Sequence, residues 1–181
     1  MTGVEKKESF LEGFSVNLRD VEISDAEFIL SLRMNPKKNR FLNVTAPDLE
    51  KQKEYLKRYK EKVDEYYWVI EGKNGVPYGV VRIYDFQQKS FCPGSWLTVP
   101  GAPITAGIEG LFHAFKFGFQ DLGFRSAHFD VRKENRSVIR FDQKIGAIII
   151  KEDALNYYFT LSSETFLTTQ TLWFSMLGVN R

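Results

Sequence analysis

Residues 126–147, SAHFDVRKENRSVIRFDQKIGA, join an alternating strand to an amphipathic helix and decide the fold of this chain. Ala127, Phe129 and Val131 alternate with polar residues, which is the period-two pattern of a strand with two unlike faces. The helix that follows places its apolar residues on one stripe: Val138, Ile139, Phe141 and Ile145. A glycine ends that helix, and a second strand is predicted over residues 147–151.

The rest of the chain also alternates between strand and helix patterns, and no Pro-, Gly- or Ser-rich linker divides it. The pattern predicts further strands at residues 14–21, 66–71, 76–86, 94–99 and 155–161. It predicts helices from near Ser24 to near Asn35, over residues 49–63 and over residues 104–120. We therefore expect a single domain, preceded by a flexible polar tail at residues 1–13.

The composition is that of one compact globular domain. The 181 residues are 43% hydrophobic and 15% aromatic, which is enough to bury a full core. A net charge of +2, spread over mixed acidic and basic residues, argues against a nucleic-acid partner. The single cysteine, Cys92, excludes an internal disulfide and provides no metal cluster, so no metal is expected. Because no apolar run approaches the roughly 18–20 residues that cross a bilayer, we expect no membrane contact and a cytoplasmic location.

The opening segment resembles the C-terminal signature of the GNAT (Gcn5-related) N-acyltransferases. In that signature a strand ends in acid-Val-Arg, Asn follows, Tyr comes seven residues later, and Leu-Gly-Phe completes the motif. The corresponding residues here are Asp130-Val131-Arg132, Asn135, Asp142 and Ile145-Gly146-Ala147. Two positions depart from the signature, because Asp142 replaces the Tyr that often serves as general acid and Ala147 replaces the Phe.

This resemblance implies the GNAT fold. That fold is α/β (α+β), with a mixed, mostly antiparallel central sheet flanked by helices and CoA in the cleft between the two central strands. The resemblance covers residues 14–162 as one acyltransferase domain, and it implies acetyl-CoA or another short acyl-CoA as donor. Residues 163–181 lie outside it, and their apolar content predicts an extension that packs on the domain or on a partner in a homodimer.

The segment 96–107, WLTVPGAPITAG, stands where GNAT proteins bind the CoA pyrophosphate at a helix N-terminus. Small residues there leave backbone N–H groups accessible, and the helix end adds partial positive charge. The alternative is a rigid strand-to-helix turn, because the family's Gln or Arg is missing and two prolines remove donors. Asn135 could contact the pantetheine or cap the helix that follows it. The residues assigned to CoA are Leu97, Thr98, Val99, Gly101, Ala102, Thr105, Ala106, Gly107, Asn135 and Phe141.

Four residues are candidates for acid–base catalysis, namely Asp130, Asp142, His128 and Glu109. Several protein-acetylating relatives in the family place a glutamate base at the strand position that Asp130 occupies. Its carboxylate could take the proton of the attacking amine, directly or through water. The alternative is that Asp130 forms a salt bridge with Arg132 or Lys133 in the turn that follows.

The other three candidates also have structural alternatives. A carboxylate with a pKa near ~4 is a poor acid at neutral pH, so Asp142 needs burial to donate a proton and is otherwise a surface ion pair. His128 shares a strand face with Asp130 and could relay a proton, or it is an ordinary strand residue. Glu109 lies one turn into the long predicted helix, near the expected acyl group, but an acid there also complements the helix dipole.

The wider sequence resembles bacterial GNAT enzymes that N-acylate nucleotide-linked amino sugars for surface polysaccharides such as the lipopolysaccharide O-antigen. This resemblance extends over residues 17–161, through LRDVEISDAEFILSLR, PDLEKQ, RIYDF, GSW and AHFDVRKEN. It implies a dTDP- or UDP-linked amino-deoxy-hexose as acceptor. The candidate contacts are Arg33, Tyr84, Asp85 and Trp96, and a basic cluster at residues 37–40 could attract the same anion. Two alternatives stay open: a protein N-terminal or small-amine acetyltransferase, and a non-catalytic acyl-CoA-binding protein.

Overall fold

The computed structural model describes Lys6, residues 9–36, Phe41 and residues 47–180, so the basic cluster at residues 37–40 lies outside the described residues. The strands are β1 Leu11–Glu12, β2 Val16–Asp20, β3 Tyr66–Gly72, β4 Pro77–Tyr84, β5 Ser90–Thr98, β6 Ser126–Arg132, β7 Ile148–Glu152 and β8 Asn156–Ser162. The α-helices are α1 Ala26–Met34, α2 Leu49–Lys60, α3 Ile104–Lys116, α4 Arg136–Lys144, α5 Ser163–Thr168 and α6 Gln170–Leu177. A 3-10 turn at Ile23–Asp25 precedes α1, and a π-helical turn at Phe117–Asp121 follows α3.

The eight strands form one sheet in the order β1-β2-β3-β4-β5-β6-β8-β7. Every neighbouring pair is antiparallel except β5 and β6, which pair in parallel. The predicted α/β fold class, with a mixed and mostly antiparallel sheet, is therefore confirmed.

Helices pack on both faces of this sheet. On one face, α1 and α2 cover β3 and β4 through an apolar cluster that includes Leu56 and Tyr67. On the other face, α3 packs through Phe112 and its neighbours, and the rings of Phe166 and Trp173 from α5 and α6 lie against Phe112. Both of these C-terminal rings are fully buried, so α5 and α6 belong to the main core. In the part of the chain that the structure describes, no helix has the length and apolar character needed to span a membrane.

Several element boundaries differ from the prediction. β5 begins at Ser90 rather than at residue 94, because Pro93 and Gly94 lie inside the strand instead of interrupting it. The long helix is α-helical only as far as Lys116 and continues as the π-helical turn. Leu11–Glu12, which the sequence assigns to the flexible tail, pairs with β2.

The parallel pairing of β5 and β6 is short. It joins Ser90 to Ser126 and Phe91 to Ala127, after which the two strands diverge. Pro93 has no backbone N–H and cannot donate to a strand ladder. The outcome is a wedge-shaped gap between the two central strands, as the resemblance implies.

A β-bulge in β5 bends the strand beside this gap. The three residues of β4 from Val80 to Arg82 are matched by the four residues of β5 from Gly94 to Leu97. Ser95 lies within the bulge and has a φ of 48°, a conformation that non-glycine residues rarely adopt. Its side chain is hydrogen-bonded to that of Tyr67, which holds the bulge in place.

Glu109 of α3 ties the start of β2 to the helix layer. Its carboxylate accepts hydrogen bonds from the backbone N–H of Phe14, Ser15 and Val16 and from the Ser15 hydroxyl. Burial opposes ionisation of this group, but the His113 ring 3.7 Å away and hydrogen bonds from Ser15 and the backbone lower the pKa of Glu109 below its ordinary value. The Glu109 carboxylate therefore holds residues 14–16 in place where the chain enters β2.

We expect Glu109→Ala to lower the free energy of unfolding by about 2–4 kcal/mol, because several buried donors then lack an acceptor. Glu134→Ala, at an exposed acid in the turn after β6, is the control and should change it by no more than about 0.5 kcal/mol. Urea unfolding followed by fluorescence measures both variants. Equal stability of the two would show that the Glu109 carboxylate does not hold β2 in place.

Candidate active site

A cleft of about 850 Å³ opens where β5 and β6 diverge. Its walls come from the second half of β5, the loop that follows, the first turns of α3, the end of β6, and α4. Most of the residues predicted for CoA, catalysis or substrate line it: Trp96, Leu97, Thr98, Val99, Gly101, Ala102, Gly107, Asp130, Asn135, Phe141 and Asp142. The structure thus brings the two separate sequence segments together at one site.

Other predicted residues lie outside the cleft lining. Thr105 and Ala106 are in the first turn of α3, and Ala106 is buried in the core. Glu109 does not face the cleft, because its carboxylate is engaged by residues 14–16. The remaining predicted residues outside the lining are His128, Arg33, Tyr84 and Asp85.

The loop before α3 leaves the start of that helix open. Gly101 adopts a φ of +82°, and Ala102 donates its N–H to the Val99 carbonyl at 3.2 Å, which closes a tight turn. Pro103 is the N-cap residue and makes no side-chain cap. The helix N-terminus therefore presents its partial positive charge to the cleft without a competing side chain.

Gly107 and Trp96 set the distance between α3 and β5. A Cβ atom at Gly107 would lie 3.0 Å from Cγ2 of Thr98 and 3.5 Å from Nε1 of Trp96. The Trp96 indole donates to the Gly107 carbonyl at 2.8 Å, and its ring lies 5.4 Å from that of Phe141. Trp96, predicted to contact substrate, thus also holds the cleft wall together.

Asp130 is exposed at the rim of the cleft. Among the ion pairs that the structure describes none includes it, and Lys133 pairs instead with Glu152 at 2.8 Å. The predicted alternative, a salt bridge of Asp130 with Arg132 or Lys133, is therefore absent from the ion pairs of the described residues. The Asp130 carboxylate is an acceptor open to solvent and to a ligand.

Asp142 lies inside the same cleft in a very different environment. Its side chain is 4% exposed, and its Oδ2 atom has no hydrogen-bond partner among the described residues. Burial raises the pKa of Asp142 from 3.8 to about 7. The predicted alternative of a surface ion pair is therefore wrong, because Asp142 is buried and unpaired.

Two asparagines add polar atoms to the lining. Asn135 occupies the N-cap position of α4 but makes no side-chain cap bond, and its Oδ1 accepts from the Ser137 hydroxyl at 3.2 Å. Asn156, at the start of β8, carries a buried Oδ1 atom without a partner in the described chain. Both can bond to an amide-containing ligand in the cleft.

His128 is held by residues other than Asp130. Its Nδ1 lies 2.9 Å from the Ser90 hydroxyl, and its Nε2 lies 3.0 Å from Oδ2 of Asp85. Asp85 has a φ of 51°, so the backbone is strained where it meets the histidine. Both ring nitrogens are occupied, and the predicted relay from His128 to Asp130 has no direct contact to support it.

A polar cluster lies beside the cleft on the sheet face that α1 and α2 share. The Arg82 guanidinium stacks 3.9 Å from the centre of the Tyr84 ring and pairs with Glu65 at 3.0 Å. Tyr84 is hydrogen-bonded to Cys92, a residue that is 8% exposed. Burial raises the pKa of Cys92 to about 11. Arg33, at the end of α1, lies close enough to act electrostatically on Tyr67.

The floor of the cleft was not predicted from the sequence. Leu111, Phe115 and Phe129 line it, together with Pro93 and Gly94. The helical stripe of α3 and the alternation in β6 indicate that these residues are apolar and inward-facing, but not that they face a gap. Among the described residues no group of His, Cys, Asp and Glu is placed to hold a metal ion.

Comparison with known proteins identifies relatives of this chain. A family model described as an acetyltransferase (GNAT) domain matches residues 15–148. The apo structure of FdhC, a nucleotide-linked sugar GNAT, is 34% identical with a TM-score of 0.85, and the match covers 95% of this chain and 100% of FdhC. The comparison with curated proteins gives no match.

More distant structures share the fold. A putative acetyltransferase from T. thermophilus is 16% identical with a TM-score of 0.76, covering 96% of this chain and 100% of that one. A chimera of the spermidine N-acetyltransferase SpeG from Vibrio cholerae is 14% identical with a TM-score of 0.74, covering 85% and 99%. At these identities the likeness extends to the fold alone.

We expect Gly107→Val to weaken CoA binding by about tenfold or more, because the added methyl groups press on Thr98 and Trp96 and narrow the cleft. Lys116→Ala, at the exposed far end of the same helix, is the control and should bind normally. Isothermal titration calorimetry with CoA measures both. Unchanged affinity of the valine variant would mean that CoA does not pass this point of α3.

Proposed function

Because this chain belongs to the GNAT acetyltransferase family, we propose that it transfers a short acyl group from acyl-CoA to the amine of a nucleotide-linked amino sugar. The observation that carries the acceptor class is the 34% identity to FdhC over the full length of that protein. The spermidine acetyltransferases are similar at 14% and support no acceptor class.

The residues present fit an acyl-CoA donor. The uncapped N-terminus of α3 and the small residues Gly101 and Gly107 suit a pyrophosphate, as the sequence predicts. The gap between β5 and β6 suits an extended chain with amide groups, because none of the described strands pairs with the β6-facing edge of β5 beyond Phe91. The polar residues Asn135 and Asn156 also line this gap and suit the amide groups of such a chain.

The acceptor is expected on the sheet face opposite α3. Val81 and Ile83 of β4, and Ala127 and Val131 of β6, pack toward α3, so the residues between them face the other way. The residues on that face beside the cleft include Arg82, Tyr84, Cys92, His128 and Asp130. The Tyr84 ring suits a sugar, and the Asp130 carboxylate suits the ammonium group that the sugar carries.

Asp130 is the residue that we assign as base. Its open carboxylate can take a proton from the acceptor ammonium, directly or through water, which frees the nitrogen lone pair to attack the thioester carbonyl. His128 and Asp85 then have a positioning role, because their mutual contact fixes the β4–β5 connection against β6. The tetrahedral oxyanion is expected to meet a backbone N–H of β5 near Leu97.

Release of free CoA from acetyl-CoA, with a panel of dTDP- and UDP-linked amino sugars, tests the acceptor class. A parallel panel holds N-terminal peptides and polyamines. Turnover with one sugar nucleotide, at least about a hundredfold above the peptides and polyamines in kcat/KM, is the expected result. Turnover with peptides or polyamines alone would replace the proposed acceptor, and CoA binding without turnover on any amine would indicate a binding protein.

We expect Asp130→Asn to lower kcat by about 10²–10⁴-fold while the dissociation constant of CoA stays the same, because the base is lost and the CoA contacts are kept. Glu134→Gln is the matched control, since it neutralises an exposed carboxylate in the next turn. Steady-state kinetics and calorimetry provide the two quantities. Full activity of the Asp130 variant would eliminate this residue as the base.

A further inference from the structure

A row of basic side chains runs along the solvent-exposed side of α4. Arg136, Arg140 and Lys144 follow one another at intervals of four residues, so they lie on one side of the helix, and all three are exposed. None of them takes part in the ion pairs found among the described residues. The one acid of α4, Asp142, is buried on another side of the helix. We call these three residues the α4 basic row.

This arrangement is unfavourable for the helix itself. Like charges four residues apart repel each other. Arg136 is the first residue of α4, where its charge also opposes the partial positive charge of the helix N-terminus. Core packing does not explain the row, because its side chains are exposed. Charges placed at a cost to the helix indicate a role in binding an anion.

The α4 basic row stands beside the cleft but outside it. Ser137 and Phe141, the chain neighbours of Arg136 and Arg140, line the cleft, whereas none of the three basic residues does. Arg132, which is also absent from the ion pairs of the described residues, lies at the rim. A ligand confined to the cleft therefore does not meet the row. A donor that rests on the outer surface of α4 while its arm enters the cleft does meet it.

The dimensions of the row indicate the kind of anion that it fits. Eight residues of helix extend about 12 Å, which is longer than one phosphate group and suits several carboxylates on the surface of another protein. The row is too small for a nucleic acid, and the net charge of the whole chain is only +2. The adjoining cleft suits the pantetheine arm of the acyl donor. A partner that matches both features is an acidic protein that carries such an arm.

We propose that the α4 basic row is the docking surface for an acyl carrier protein, a small acidic protein that holds its acyl group as a thioester on the same phosphopantetheine arm that CoA contains. This inference rests on the proposed acyl transfer and adds a second donor to it. The acceptor nitrogen bonds to the carbonyl carbon, the C–S bond breaks, and the acyl group passes to the nitrogen. The proton lost by the amine goes to Asp130 or water, and the thiolate of the arm takes a proton from solvent.

The kinetic test compares acetyl-carrier protein with acetyl-CoA as donor, using whichever amine the acceptor panel identifies. The double variant Arg140→Glu/Lys144→Glu should lower kcat/KM for the carrier-bound donor at least about tenfold and leave kcat/KM for acetyl-CoA within about twofold. The control Lys57→Glu/Arg58→Glu makes the same change of charge at exposed positions of α2 and should leave the ratio of the two kcat/KM values unchanged. This ratio cancels any effect on acceptor binding or on the amount of folded protein.

Three kinetic outcomes overturn the inference. In the first, acetyl-carrier protein gives less than about 1% of the kcat/KM of acetyl-CoA. In the second, the α4 variant lowers kcat/KM equally for both donors, which would mean that the row binds the nucleotide part of CoA. In the third, the α2 control lowers carrier-dependent turnover as much as the α4 variant does, which would make overall charge the cause.

Binding of the carrier needs no acceptor, so its measurement separates this inference from the proposed function. Fluorescently labelled holo-carrier protein is titrated with the natural protein and with the α4 variant, and anisotropy reports the dissociation constant. We expect this constant to rise at least about tenfold in the variant, and also in the natural protein between about 0.05 and about 0.3 M salt, because exposed charges are screened. Free CoA should displace the carrier, since both arms use the cleft. Absence of binding, or binding that the variant, salt or CoA does not weaken, would exclude the docking surface whichever amine is the acceptor.

Discussion

The divergence of β5 from β6 is the constraint on which the site depends. A fully paired sheet would have no cleft at its centre, because each inner edge would be hydrogen-bonded to the next strand. Here the parallel contact ends at Phe91 and Ala127, and β5 carries a bulge at Ser95 beside the gap. The helices then act as walls for the resulting gap, with α3 at one end of it and α4 along its side. The Trp96–Gly107 hydrogen bond in the cleft wall, and the hydrogen bonds of Glu109 to residues 14–16 outside it, hold α3 against the sheet.

Two carboxyl groups in the cleft acquire opposite properties from their surroundings. Asp130 stands on a strand and is exposed at the rim of the cleft. Asp142 stands on the inner face of a helix, beside residues such as Phe141 that offer no compensation for a charge. The same residue type therefore occupies two different environments in one cleft, and burial raises the pKa of Asp142 to about 7.

Much of this arrangement follows from the sequence, and the failures have identifiable causes. Alternation and helical spacing predicted the element order, and the signature around Asp130 and Asn135 predicted the place of the cleft. The helical spacing alone places Asp142 on the buried face, because this residue lies four residues after Val138 and three before Ile145 on the apolar stripe. The alternative of a surface ion pair was considered for Asp142 because its side chain can carry a charge. The roles of Glu109 and His128 depend on partners far apart in sequence, at residues 14–16 and at Asp85, which periodicity cannot indicate.

The burial of Cys92 has a practical consequence for enzymology. It is the sole cysteine of the chain, it lies against Tyr84, and its pKa is raised to about 11. A disulfide reagent reacts with thiolates, and at neutral pH this side chain is almost entirely in the thiol form and shielded from solvent. A colorimetric thiol assay should therefore measure the CoA released during turnover without a background signal from the folded protein. Progress curves can then be recorded continuously.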